Sequence, residues 1–170
     1  FLVKHFTINI TEEKEKLIQC TLEVGSDVPF FLIQKPCYAT GKGEYLQLLN
    51  SFVLNYDILL VNPNQHVSTR LAYESLELSN DYVKNQVLNQ VTEFNLENKE
   101  LFVNDFEKVV FPKYPILEKV KIALYKRGAV FSSMSGSGAV IYGFFNRGDK
   151  DKLNYAVKEF RKSGYFTAIA

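Results

Sequence analysis

The chain has 170 residues, with 20 Lys and Arg against 19 Asp and Glu, two His, two Cys and no Trp; 46% of it is hydrophobic and 23% charged. A formal charge of +1, with no cluster of basic residues, excludes a general nucleic-acid binder, because phosphate neutralisation needs a local surplus of Lys and Arg. The longest apolar runs, at 58–61 and 139–145, fall far short of the roughly 20 residues that span a bilayer, which excludes a membrane protein, and Cys20 and Cys37 are too few to form a disulfide framework. A reducing cytoplasm is the expected setting.

Residue 1 is Phe, and the first six residues have neither the n-region nor the cleavage site of a signal peptide, so the chain is expected to begin within something larger. Thr11 reads as an N-cap, with Glu12 and Glu13 in the first turn and Leu17, Ile18 and Leu22 at helical spacing up to Gly25. Cys20 falls on that helix as a small core residue. Residues 28–33 read as a buried extended run entered through Pro29, and residues 38–49 as a hairpin around Gly41-Lys42-Gly43. The run 56–61 reads as an interior strand stopped by Asn62-Pro63-Asn64, followed by a helix capped by Ser68 and carrying Leu71, Tyr73, Leu76 and Leu78.

Residues 80–99 are polar, rich in Asn and Gln and weakly periodic, and read as a surface stretch. Phe106, Val109 and Val110 predict a short helix with Asn104 or Asp105 as its cap. Pro115 opens another that ends at Gly128. A strand at 129–132, a small-residue loop at 133–138, a return strand at 140–145, an amphipathic helix at 152–162 closed by Gly164 and a last strand at 165–169 complete the chain. From Tyr56 the order is that of an α+β, ferredoxin-like split βαβ sandwich with inserted helices.

Two segments carry chemistry. In Gly25-Ser26-Asp27-Val28-Pro29-Phe30-Phe31 one carboxylate sits between a Gly-Ser turn and bulky apolar residues. It reads either as a turn Asp bonded to backbone amides or as an acid-base group at a cleft, where apolar walls and a cation tune a carboxylate. In Ser132-Ser133-Met134-Ser135-Gly136-Ser137-Gly138-Ala139 the near absence of side chains fits either a tight hairpin or a nest of amides for an anion. It is neither a P-loop nor a dinucleotide fingerprint, since no GK[ST] follows and the next element is a strand. His5 and His66 lack partners at metal-ligand spacing, so no metal site is expected and both are assigned to the surface or to local bonds.

Together with Ala39-Thr40-Gly41-Lys42-Gly43-Glu44, Val61-Asn62-Pro63, Val67-Ser68-Thr69, Ala72-Tyr73 and Asn104-Asp105-Phe106-Glu107, these segments resemble the 4-diphosphocytidyl-2-C-methyl-D-erythritol kinase family of the GHMP kinase superfamily. The GSDVPFF and ATGKGE segments are specific to that family, whereas the SGSG loop is more widespread among GHMP kinases. The resemblance implies ATP-dependent phosphorylation of the 2-hydroxyl of the cytidine diphosphate adduct of methylerythritol, in non-mevalonate isoprenoid biosynthesis. It implies Asp27 as the catalytic base that receives or orients the hydroxyl proton. It implies Ser135, Gly136, Ser137 and Gly138 as a substrate-side loop, with Tyr142 against the cytosine base; for Tyr142 cross-strand packing is the alternative.

The family also has an N-terminal Lys paired with the catalytic Asp and a PxGxGLGGGSS phosphate loop, and these 170 residues contain neither. The chain is therefore expected to be the C-terminal portion, with 1–50 closing the N-terminal ATP and substrate domain and 51–170 forming the C-terminal domain. By itself it is expected to be inactive and to hold no bound cofactor. ATP with Mg²⁺ would serve the full-length enzyme, the metal being held by phosphates and water. A homodimer through an exposed edge is left open. The rival readings are a free-standing ferredoxin-like binding or regulatory module and another GHMP small-molecule kinase.

Overall fold

The computed structural model describes residues 14–25, 27–33, 35–41, 43, 45–76 and 93–170. Thr11, Ser26, Lys42, Glu44, Leu78, His5 and the stretch 80–92 lie outside the described residues, so the expectations placed on them are not addressed. The chain divides into two compact units, one of Phe1–Val53 with Tyr82–Glu93 and one of Leu54–Asp81 with Phe94–Ala170.

The first unit holds helix α1 (Lys14–Val24), helix α2 (Val28–Ile33) and a hairpin of β1 (Cys37–Thr40) and β2 (Tyr45–Leu48). The α1 helix closes where the Gly25 amide donates to Thr21 O at 3.1 Å. The extended run expected over 28–33 is instead helical. A six-residue apolar run is ambiguous between strand and helix, and Pro29, with its φ preset, sits in the first turn, where its missing N–H costs no bond. Nor is the run buried: Pro29 is covered while Phe30 and Phe31 are 41% and 67% exposed. Cys20, assigned to the core from its apolar neighbours, is exposed. The hairpin pairs Cys37 with Leu48 through Thr40 with Tyr45, and Gly41 and Gly43 take φ of 71° and 109° in its turn, a region that only Gly enters freely.

The second unit is built on a four-stranded antiparallel sheet of β3 (Tyr56–Asn62), β4 (Phe131–Met134), β5 (Ile141–Asn146) and β6 (Phe166–Ile169), in the order β4-β5-β3-β6. Because β3 and β4 both run antiparallel to the β5 strand between them, they are parallel to each other, which is the split βαβ arrangement. Their crossover carries helix α3 (Thr69–Glu74), a 3₁₀ turn (Lys99–Phe102), helix α4 (Glu107–Val110) and helix α5 (Pro115–Lys126); helix α6 (Lys150–Lys162) joins β5 to β6. The Ser68 hydroxyl accepts from the Leu71 amide as the cap of α3, and that helix ends at Glu74, short of Leu76. Strand β4 begins two residues later than its composition indicates, since the Ala129 amide still closes the end of α5 on Leu124 O.

Alternation along the strands sends Leu59, Val61, Met134, Ile141 and Phe145 to one face, where Leu117, Val120 and Leu124 of α5 and Leu153, Ala156 and Phe160 of α6 complete the core. The opposite face carries an aromatic cluster in which Phe94 meets Phe131 at 5.0 Å and Phe144 at 4.8 Å between ring centroids. Phe94 is only 3% exposed and belongs to the core, whereas the other described residues of the 80–99 stretch, 93 and 95–99, are exposed or half-buried as the surface reading expects. Hydrophobic burial outweighs local composition there. Among the described residues no strand pairs with the outer side of the edge strand β4, and side chains take that place. Tyr125 Oη accepts from the Ser132 amide at 3.1 Å, and a Glu107 carboxylate oxygen accepts from the Met134 amide at 2.7 Å.

Candidate functional site

Asp27 occupies the junction of α1 and α2, where the Val28 amide reaches back to Gly25 O at 3.1 Å. Its exposed carboxyl lines a cavity of about 300 Å³ whose other walls are Phe30, Phe31, Cys37, Ala39, Gly43 and Leu46. The apolar wall expected behind Asp27 is therefore present, and the rings of Phe30 and Phe31 meet edge to face at 5.6 Å. Burial pushes the Cys37 thiol up, which keeps it protonated at neutral pH and unsuited to act as a nucleophile. The Asp27 carboxyl is then the polar side chain with acid-base chemistry that this cavity offers.

In the second unit the 135–138 loop turns tightly: the Ser135 amide donates to Val140 O at 2.9 Å and the Gly138 amide to Ser135 O at 3.0 Å. Gly136 and Gly138 take φ of 54° and 97°, and a Cβ on Gly138 would stand 3.0 Å from the Met134 sulfur. Small residues are thus required by the turn itself. Among the described residues no hydrogen bond engages the amides of Gly136 or Ser137. The Ser137 and Thr69 hydroxyls share one at 2.9 Å. Two free successive amides beside hydroxyls form a surface on which an anionic oxygen can rest.

Asn104 holds the loop from one side, and Glu107 with Lys121 holds the strand that leads into it; composition and spacing did not single out these three as site residues. Asn104 Nδ2 donates to Met134 O and to Gly136 O, each at 2.7 Å, while its Oδ1 accepts from the Phe106 amide at 3.0 Å. Asn104 or Asp105 was expected to cap α4, but its N-cap position is Phe106 with no side-chain cap bond; Asn104 instead closes the turn before that helix with one atom and reaches the loop with the other. Glu107 accepts from the Ser133 hydroxyl at 2.8 Å and from the Met134 amide, and its second oxygen takes the ammonium of Lys121. The Glu107 side chain is 11% exposed and that of Lys121 25%, so the pair is largely shielded from water. From the residues alone Asn104-Asp105-Phe106-Glu107 reads as a helix start, and it enters the site reading only as one of the segments that carry the family resemblance.

Tyr142 projects from β5 into the aromatic face, 5.4 Å from the Phe144 ring and 6.1 Å from Phe131. Burial pushes its phenol above the usual tyrosine range, with the Ser133 hydroxyl opposing. Asp27 stands in one unit and the loop with Tyr142 in the other. Among the described residues no group of three or more His, Cys, Asp and Glu gathers as a metal-ligand set, His66 is exposed, and no helix is long and apolar enough to cross a membrane.

Residues 82–163 match the family described as GHMP kinases C terminal. The chain carries a GHMP kinase C-terminal domain. It is 36% identical over 146 residues to 4-diphosphocytidyl-2-C-methyl-D-erythritol kinase of Bacteroides thetaiotaomicron, covering 85% of this chain and 51% of that protein. It is 36% identical over 173 residues to the protein of the same name from Caldanaerobacter subterraneus subsp. tengcongensis, covering 99% of this chain and 58% of that one. The chain thus spans a little over half the length of these curated relatives. A crystal structure of 4-(cytidine 5'-diphospho)-2C-methyl-D-erythritol kinase superposes with a TM-score of 0.64 at 24% identity over 90% of this chain and 56% of that one, which agrees with the fold. The matched residues include α4, α5, β4, β5 and α6 of the second unit.

Proposed function

We propose that this chain forms part of a kinase that transfers the γ-phosphoryl group of ATP to the 2-hydroxyl of 4-diphosphocytidyl-2-C-methyl-D-erythritol. The observation that carries the reading is Asp27 at the mouth of an apolar-walled cavity, in a chain similar along most of its length to kinases of that name. A tertiary hydroxyl is a hindered nucleophile, so catalysis depends on holding it in line with the phosphorus more than on removing its proton early. Asp27 accepts the hydroxyl hydrogen and fixes the oxygen's direction, and the phenyl walls of Phe30 and Phe31 exclude water that would compete as acceptor.

The Gly136 and Ser137 amides and the neighbouring hydroxyls donate to phosphate or diol oxygens of the bound molecules. Magnesium, held chiefly by phosphate and water oxygens of the bound nucleotide, would supply charge neutralisation at the transferring group. Tyr142 offers a ring edge toward the cytosine from within its aromatic cluster. The 1–50 segment completes an ATP and substrate domain, and 51–170 is the C-terminal domain.

The natural polypeptide that carries these residues, given ATP and the cytidine substrate, is expected to yield a new phosphomonoester on the tertiary carbon by ³¹P NMR. Homoserine or mevalonate offered in its place is expected to remain unphosphorylated. Equal transfer to those alcohols would replace this reading with that of another small-molecule kinase. The 170 residues assayed alone contain no glycine-rich phosphate loop of the family type and are expected to show background ATP turnover; substrate-dependent turnover by them would contradict that expectation.

A further inference from the structure

We infer that Asn104 is a positioning residue for phosphoryl transfer, one that sets the 135–138 loop through two backbone carbonyls. This assignment rests on the kinase reading of that loop. The loop's own bonds close its turn but do not fix its tilt on the sheet, because both run between residues 135 and 140. Asn104 supplies the missing reference. Its Nδ2 bridges Met134 O, the last residue of β4, and Gly136 O, inside the loop, both at 2.7 Å. A group that bonds strand and loop together locks the angle between them.

The anchor is itself fixed at its other atom. Asn104 Oδ1 accepts from the Phe106 amide, so the amide plane cannot rotate without losing a bond. One turn further on, Glu107 accepts from the Met134 amide and is held in place by Lys121. The carbonyl and the amide of Met134 are thus taken by two side chains of one short segment. With Gly136 O turned toward Asn104, the peptide that follows is held in one orientation, and with it the free Ser137 N–H. Only a carboxamide fits this role: it has two donors on one atom for two carbonyls and an acceptor on the other for an amide.

Asn104→Asp separates this role from simple folding. The carboxylate keeps the acceptor for Phe106 but places a negative oxygen against two carbonyl oxygens, so the loop swings while the turn before α4 stays. In the natural polypeptide the variant is expected to lower kcat about 10- to 100-fold, with KM for ATP and for the cytidine substrate changed by less than about threefold. Val120→Ala, which weakens the core on α5, is expected to lower Tm with kcat retained. In ¹⁵N spectra of the 170-residue chain, Asn104→Asp is expected to move the Gly136 and Ser137 amide signals and to leave those of α6 in place. Unmoved loop signals, or a kcat no lower than that of Val120→Ala, would overturn the assignment. A wild type without turnover overturns the kinase reading and the catalytic half of this one together, while the spectra still decide whether Asn104 anchors the loop.

Discussion

The two units hold their chemically interesting residues in opposite ways. Among the described residues of 14–53 only Pro29 is buried, and Asp27 owes its place to the local geometry of a helix–turn–helix junction. In the other unit Ser132 and Ser133 are 0% and 1% exposed, and the loop they lead into stands on a core of Phe145, Leu117, Leu124 and Ile141. A carboxylate that must meet solvent and substrate can be set by a turn. A loop whose backbone amides must keep their direction needs tertiary anchors, because nothing local prevents it from tilting.

The contrast breaks most readily at the aromatic residues. Phe145→Ala is expected to cost about 3–5 kcal/mol, since the ring is fully buried between sheet and helices and its removal leaves a cavity. Phe31→Ala, at a ring 67% exposed, is expected to stay within about 0.5 kcal/mol while opening the wall beside Asp27. Chemical denaturation of both variants checks this, and equal losses would mean that the first unit is held by packing after all.

Next in size is Glu107→Ala. It leaves the Lys121 ammonium, the Ser133 hydroxyl and the Met134 amide without their acceptor in a shielded place, and is expected to cost about 2–3 kcal/mol. Glu107→Gln keeps the hydrogen-bond acceptor for the strand and loses the ion pair, so it is expected to lie between the alanine variant and wild type. Thermal melts order the three. A glutamine variant as stable as wild type would show that the hydrogen bonds to β4, and not the charge, hold the edge.

How far these differences could be read from residues alone depends on where the information lies. The ends of β3 and α5 were legible because Asn62-Pro63-Asn64, Pro115 and Gly128 act within a few residues of themselves, and Gly128 does take a φ of 101°. The hairpin turn was legible for the same reason. Residues 28–33 misled because six apolar residues fit either period, and the helix is decided by Pro29 in a first turn. Phe94 was hidden in a polar stretch, since a single aromatic has no period. For the site, Asp27 and the SGSG loop stood out by composition, whereas Asn104, Glu107 and Lys121 did not. Their contacts span 14 to 32 residues, and no local pattern encodes them.

The smallest expected effect concerns Tyr142. Its phenol is pushed up by burial in the folded chain, so above the ordinary tyrosine range the unfolded state gives up the proton first. Stability is then fully present below that range and is lost as pH rises toward the folded value. Tyr142→Phe is expected to lose less stability than wild type between neutral and strongly alkaline pH, as read by urea midpoints at each pH. Parallel pH profiles would indicate a ring open to solvent, the environment that the first unit gives Phe31 and Tyr45.

The measurement that bears most directly on the central claim is single-turnover phosphoryl transfer by the natural polypeptide with Asp27→Asn beside wild type, at saturating ATP and cytidine substrate. Asparagine keeps the size and polarity of the side chain but cannot take a proton. The account predicts a chemical step slower by about 10²- to 10⁴-fold with both ligands still bound. A chemical step within about threefold of wild type would contradict it and remove the carboxylate from the reaction.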